Sequence, residues 1–141
     1  MPNPNPVFAM VRAWVVKAEH DLKTAVHTLT LGKEAPTDTV SFHAQQRIEK
    51  YLKALLVLHG VPFPKTHAIR RLTALLPAKL RPKIVGKVKD RLTEYATVMR
   101  YPDVGTDIPL REAREAVALA KRVRKDVSRQ MPRAALRGLG R

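Results

Sequence analysis

The chain has 141 residues, with 27 Lys and Arg against 12 Asp and Glu, and no cysteine. That length suits one domain with a substantial core. The lack of cysteine excludes a disulfide scaffold, a cysteine nucleophile and a thiolate metal site, and fits a reducing cytoplasm. No apolar run approaches the roughly 18–20 residues that a membrane-spanning helix needs. The opening MPNPNP has neither the basic start nor the apolar core of a signal peptide, so a cytoplasmic protein without a membrane partner is expected.

The first predicted helix runs from about Val7 to Leu31. Phe8, Val11, Val15, Ala18, Leu22, Ala25 and Leu29 recur at steps of three and four, which defines one buried stripe. Pro6 suits its first turn and Gly32 marks its end. After a short loop, Asp38 or Thr39 can cap a second helix that stops at Gly60. Its stripe of Phe42, Leu52 and Leu56 is interrupted by Gln45 and Glu49. The segment VPFPKTH must be extended or turning, because each proline disfavours helix in the residue before it. A short helix follows at about Ala68–Leu76. A fourth spans about Lys83–Met99 with Val85, Val88, Leu92, Tyr95 and Met99 inward. Pro102 forces the chain out of helix. Asp107 then caps a fifth helix, with Pro109 in its first turn. Leu110, Ala113, Val117, Ala120, Val127 and Met131 form its inner face, and Arg124 falls on the same line. The predicted fold is all-α, an antiparallel up-and-down bundle of four main helices plus a short one. A single domain is expected over residues 1–131, and the Arg- and Gly-rich residues 132–141 are expected to be a mobile basic tail.

The positive charge is uneven. Residues 65–91 carry nine basic residues against one acidic, and residues 111–141 carry ten against three. Such a field attracts polyanions, chiefly nucleic acid, or an acidic protein.

Enzyme signatures are missing. There is no Gly-rich phosphate loop, no HExxH and no GxSxG. The five histidines have no spacing that favours a metal site, so neither metal nor cofactor is implied. The polar residues of the first two helices carry the remaining signal. Lys17 and Asp21 lie at i, i+4, and Glu49, Lys50 and Lys53 cluster on the second helix. Interhelical ion pairs are the default explanation for each. Gln45 and Glu49 on the inward line favour instead a polar groove between the two helices, since a purely structural core is cheaper in apolar residues. His43, Arg47 and Lys50 at i, i+4, i+7 read as an exposed basic face. Near the end of the fourth helix, Arg100 can clamp a phosphate and Tyr101 can stack on a base.

Three stretches together resemble the HEPN domain family (higher eukaryote and prokaryote nucleotide-binding). They are W-x2-KAEHDL-x2-A from Trp14 to Ala25, FHAQQ-x2-EK-x-LKALL from Phe42 to Leu56 followed by G-V-x-x-P-KTH to His67, and RYPD at Arg100–Asp103. The resemblance covers about Val7 to Val127. It implies a helical bundle that commonly dimerises, in a small cytoplasmic prokaryotic protein. Such proteins are often encoded beside a minimal nucleotidyltransferase as a toxin–antitoxin-like pair. It also implies the R-x4–6-H motif of metal-independent ribonucleases near Arg91–Tyr101. That motif is missing here, because the last histidine of the chain is His67.

The expectation is therefore a non-catalytic HEPN homodimer that binds a nucleotide, RNA or a nucleotidyltransferase. The expected contributors are Lys17, Asp21, Gln45, Glu49, Lys50, Lys53, Arg100 and Tyr101. One alternative is a divergent ribonuclease using Arg100 on the phosphate, with Tyr101 or His43 moving the proton. Another is a non-specific electrostatic binder acting through Lys79–Arg91 and the Arg-rich end.

Overall fold

The computed structural model describes residues 5–103 and 107–139. It is an antiparallel helical bundle, and no strand occurs among the described residues. Helix α1 (Pro6–Leu29) starts with Pro6 in its first turn and with the Asn5 side chain accepting from the Val7 and Phe8 amides. Pro6 removes one of the amides that a helix start leaves orphaned, and Asn5 satisfies two others. Gly32 and Gly60 adopt positive φ (59° and 68°) where α1 and α2 (Thr37–Leu58) turn back, as each predicted stop requires.

The short helix α3 (Ile69–Leu75) buries Ile69 and Leu72. Helices α4 (Gly86–Ala96) and α5 (Leu110–Ser128) follow. They run antiparallel, with Lys83 meeting Arg122 at one end and Arg91 meeting Glu112 at the other. Helix α2 is the axis of the bundle, packed against α1, α3, α4 and α5. Val11, Val15, Ala18 and Ala25 of α1 meet Ala44, Ile48, Leu52, Leu55 and Leu56 of α2 in the core.

The differences from expectation have local causes. Asp38 and Thr39 lie inside the first turn of α2, whose capping position is Pro36. Asp107 does not cap α5, where Pro109 occupies that position. The fourth helix is shorter than predicted. Ile84 and Val85 are β-branched and are followed by Gly86, three poor helix residues, so the chain stays extended until α4 begins. Val85 and Val88, expected inward, are 71% and 39% exposed. Thr97 leaves helical geometry (φ −122°, ψ −97°), and a single turn at Val98–Arg100 replaces the predicted last turn.

Residues 133–139, expected as tail, fold back. Helix α6 (Arg133–Leu136) packs against α1 with Ala135 fully buried, and Leu136 and Leu139 rest on the core. Residues 1–4 of the expected domain and 140–141 of the expected tail lie outside the described residues.

Candidate functional site

The seam between α1 and α2 carries three carboxylates, each meeting several donors. Asp21 accepts from Lys50 Nζ at 2.5 Å and pairs with His43 Nδ1 at 2.8 Å. His43 and Lys50 stand two turns apart on one face of α2, which lets both reach one α1 carboxylate. Glu19 accepts from the Tyr51 hydroxyl and from Arg124 Nε (2.8 Å), with Arg47 Nη2 at 3.4 Å. Glu49 accepts from Lys53 Nζ at 2.9 Å and from Gln45 Nε2 at 2.9 Å, and pairs with His67 Nδ1 at 2.8 Å.

Electrostatics keep the Glu19 cluster charged. Burial alone would raise the Glu19 pKa, but hydrogen bonds from Tyr51 and Arg124 and the charge of Arg47 outweigh it and hold the carboxyl below its ordinary 4.5. Burial, then its bond to Glu19, pushes the Tyr51 phenol up. Burial pulls the Arg47 pKa down.

The polar groove expected around Gln45 and Glu49 is closed. Gln45 is 0% and Glu49 3% exposed, and Gln45 Oε1 accepts from Gln46 Nε2 at 2.7 Å. Lys53 is also buried, its ammonium 5.4 Å from the Trp14 ring centroid and 5.9 Å from that of Phe63. These groups meet partners within the chain. The exposed basic face expected of His43, Arg47 and Lys50 is absent too. Arg47 is 0% exposed, donating to the carbonyls of Ala18 (3.4 Å) and Ala120 (3.2 Å). A helix packed on four neighbours has no face left to solvate a guanidinium.

The other expected contributors reach the surface. Lys17 is exposed one turn before Asp21, which pairs with α2 rather than with Lys17. Arg100 is exposed, and its guanidinium lies 4.0 Å from the Phe42 ring centroid. Among the described residues it pairs with no carboxylate. Tyr101 beside it is 63% exposed. The Phe42 ring stands edge-on to His43, with centroids 5.3 Å apart. A strip therefore runs from Arg100 and Tyr101 through Phe42 to His43, Asp21 and Lys50. It unites Asp21, Lys50, Arg100 and Tyr101 and leaves Gln45, Glu49 and Lys53 in a separate buried cluster. Phe42, expected in the apolar stripe, is the residue that spacing did not place in it, whereas the i, i+7 spacing sets His43 on one face with Lys50. The adjacency of Phe42 and His43 at the start of α2, opposite RYPD, is the signal that links them.

Chemically the strip joins cations, rings and a held imidazole. With Nδ1 bound to Asp21, the Nε2 edge of His43 is left for a ligand or a proton. Arg91, at the start of the region where the family resemblance implies the ribonuclease motif, is held by Glu112 through both Nε (2.9 Å) and Nη2 (3.4 Å) and also bonds Glu94.

A sequence model of the HEPN domain matches residues 11–130. The chain belongs to the HEPN domain family. Two solved structures share its fold. One is TT1696 from Thermus thermophilus, 30% identical with a TM-score of 0.68. The other is ST0689, an archaeal HEPN homologue, 27% identical with a TM-score of 0.63. Each match covers 86% of this chain and 98% of the other. No curated protein matches the HEPN chain. Among its described residues no helix is long and apolar enough to cross a membrane.

Proposed function

We propose that this HEPN protein binds a phosphate-bearing ligand, a nucleotide or RNA, at the Arg100 strip. It would act as a cytoplasmic homodimer paired with a minimal nucleotidyltransferase in a toxin–antitoxin-like system. The observation that carries the binding reading is Arg100, a guanidinium resting on Phe42 with its fork free of carboxylates among the described residues. Arg recognises phosphate bidentately, and the ring beneath fixes its plane. At the other end of the strip Lys50 is matched by Asp21 and offers a hydrogen-bond donor rather than net charge, and the exposed Tyr101 ring can stack on a base. Lys17 contributes charge alone, while Gln45, Glu49 and Lys53 hold the helix that carries the strip. Calorimetry with ATP and with a short RNA tests the reading. Arg100→Ala is expected to weaken binding about 10-fold or more, the effect of losing a charge-assisted contact. Unchanged affinity for both ligands removes the role.

A second reading, a divergent ribonuclease, draws on the His43–Asp21 contact. His43 Nε2 would take the proton of an RNA 2′-OH as that oxygen attacks phosphorus. A 2′,3′-cyclic phosphate forms as the P–O5′ bond breaks, and the leaving 5′ oxygen takes a proton from water. Incubation of end-labelled RNA without metal decides it. Cleavage abolished by both His43→Ala and Arg100→Ala would establish the enzyme, and intact RNA would dismiss it.

A further inference from the structure

We propose that the groove between α4 and α5 docks an acidic amphipathic helix from a partner protein. This site is separate from the Arg100 strip. The groove encloses about 1080 Å³ and follows the whole of α4. Eleven residues of helix are about 16 Å long, which accommodates roughly three turns of a docked helix.

Its floor is aliphatic, made of Ile84, Val88, Leu92, Ala116 and Leu119. Val85 stands open on its edge. Apolar surface gathered in a concave strip, not scattered, marks an interaction site. The charges are divided along its length. At one end stand Lys83, Lys87 and Arg122, none of them ion-paired among the described residues. Arg122 donates instead to the Lys83 carbonyl at 2.7 Å, which ties the extended segment before α4 to α5 and fixes that end of the groove. At the other end Arg91 is neutralised by Glu94 and Glu112, and Glu115 adds a further carboxylate. The groove thus offers an apolar track with these three cations at one end, the complement of a helix with an apolar stripe and acidic residues at one terminus.

Nucleic acid fits this surface poorly. Three carboxylates at the far end repel phosphates, and the hydroxyl of its one aromatic ring, Tyr95, donates to Glu112. A second copy also fits poorly. The chain carries a net charge of +15, and among the described residues seven of its 12 acidic residues are already ion-paired internally. A copy seated here would leave Lys83, Lys87 and Arg122 without carboxylates opposite them, so the homodimer proposed above would form through another face.

The probe is a fluorescent synthetic helix with Leu along one face and Glu at one end, compared with the same peptide carrying Lys for Glu. Anisotropy titration against the full chain is expected to show binding of the Glu peptide and at least about 10-fold weaker binding of the Lys peptide. Val85→Asp and Lys83→Glu/Lys87→Glu, each checked for native circular dichroism, are expected to weaken the Glu peptide about 10-fold or more. Equal binding of the two peptides, no binding up to roughly 1 mM, or indifference to these variants overturns the proposal. So does a Val85→Asp variant that turns a dimer into a monomer in sedimentation, which makes a second copy the occupant. A parallel loss of single-stranded RNA binding in that variant would make RNA the occupant and likewise overturn it.

Discussion

The α1–α2 seam and the α4–α5 groove invert the usual distribution of polarity. The seam holds three carboxylates with a buried arginine and a buried lysine, and meets each with donors or acceptors of the same chain. The groove leaves valines in the open beside cations that lack carboxylate partners among the described residues. A buried charge is costly unless matched, and once matched it fixes which residues face one another. An exposed aliphatic track gains nothing until something covers it. The seam therefore defines the register of the bundle, and the groove and the Arg100 strip are where the molecule can meet others.

The largest expected effect breaks the seam. Glu49→Ala leaves the Lys53 ammonium buried without its carboxylate and should cost roughly 3–5 kcal/mol in urea unfolding. Glu49→Gln, which keeps an acceptor for Gln45 and Lys53, should cost less. Equal losses in the two variants would mean that volume, not charge, matters there.

Acid sharpens the same contrast. The Glu19 carboxyl is held below 4.5 in the fold, and so is that of Glu112, where burial opposes the shift and bonds from Arg91 and Tyr95 outweigh it. A depressed carboxylate pKa contributes stability that is full above the unfolded value and is lost as pH falls through the folded one. Unfolding midpoints should thus hold steady down to about pH 4.5 and then drop, and Glu19→Gln should flatten part of that fall. An acid limb unchanged in Glu19→Gln would assign the loss to other groups.

The smallest expected change in stability belongs to the groove. Val85→Asp alters a side chain already in water and should shift the unfolding free energy by no more than about 0.5 kcal/mol. A loss above about 2 kcal/mol would show Val85 to be part of the core.

The sequence carried the bundle well because apolar spacing reports burial directly. Val11, Val15, Ala18 and Ala25 lie in the core where the period put them, and the left-handed Gly32 and Gly60 end helices where expected. The site was harder to read because periodicity gives a face but not its neighbour. Arg47 lies on a face of α2 that looks solvated in one helix alone, and it is buried only because α1 and α5 close over it. Gln45 and Glu49 were rightly expected to be inward. What met them was Lys53 one helical turn on, an i, i+4 pair that spacing does encode, and His67 from the proline-rich turn, which no one-dimensional pattern encodes. Val85 failed for the opposite reason, since β-branched residues beside a glycine weakened the helix start that would have turned them in. Arg100 and Tyr101 were legible as chemistry, yet the contact of Arg100 with Phe42 depends on a chain reversal between distant segments.

The aromatic setting of Lys53 has a practical consequence. The chain holds one tryptophan, Trp14, whose ring lies 6.2 Å from that of Phe63 and next to the Lys53 ammonium. Its emission is a built-in reporter of the contact between the first helix and the proline-rich turn. Opening of that corner can be timed by stopped-flow without attaching a dye, and compared with the rate at which overall helicity disappears.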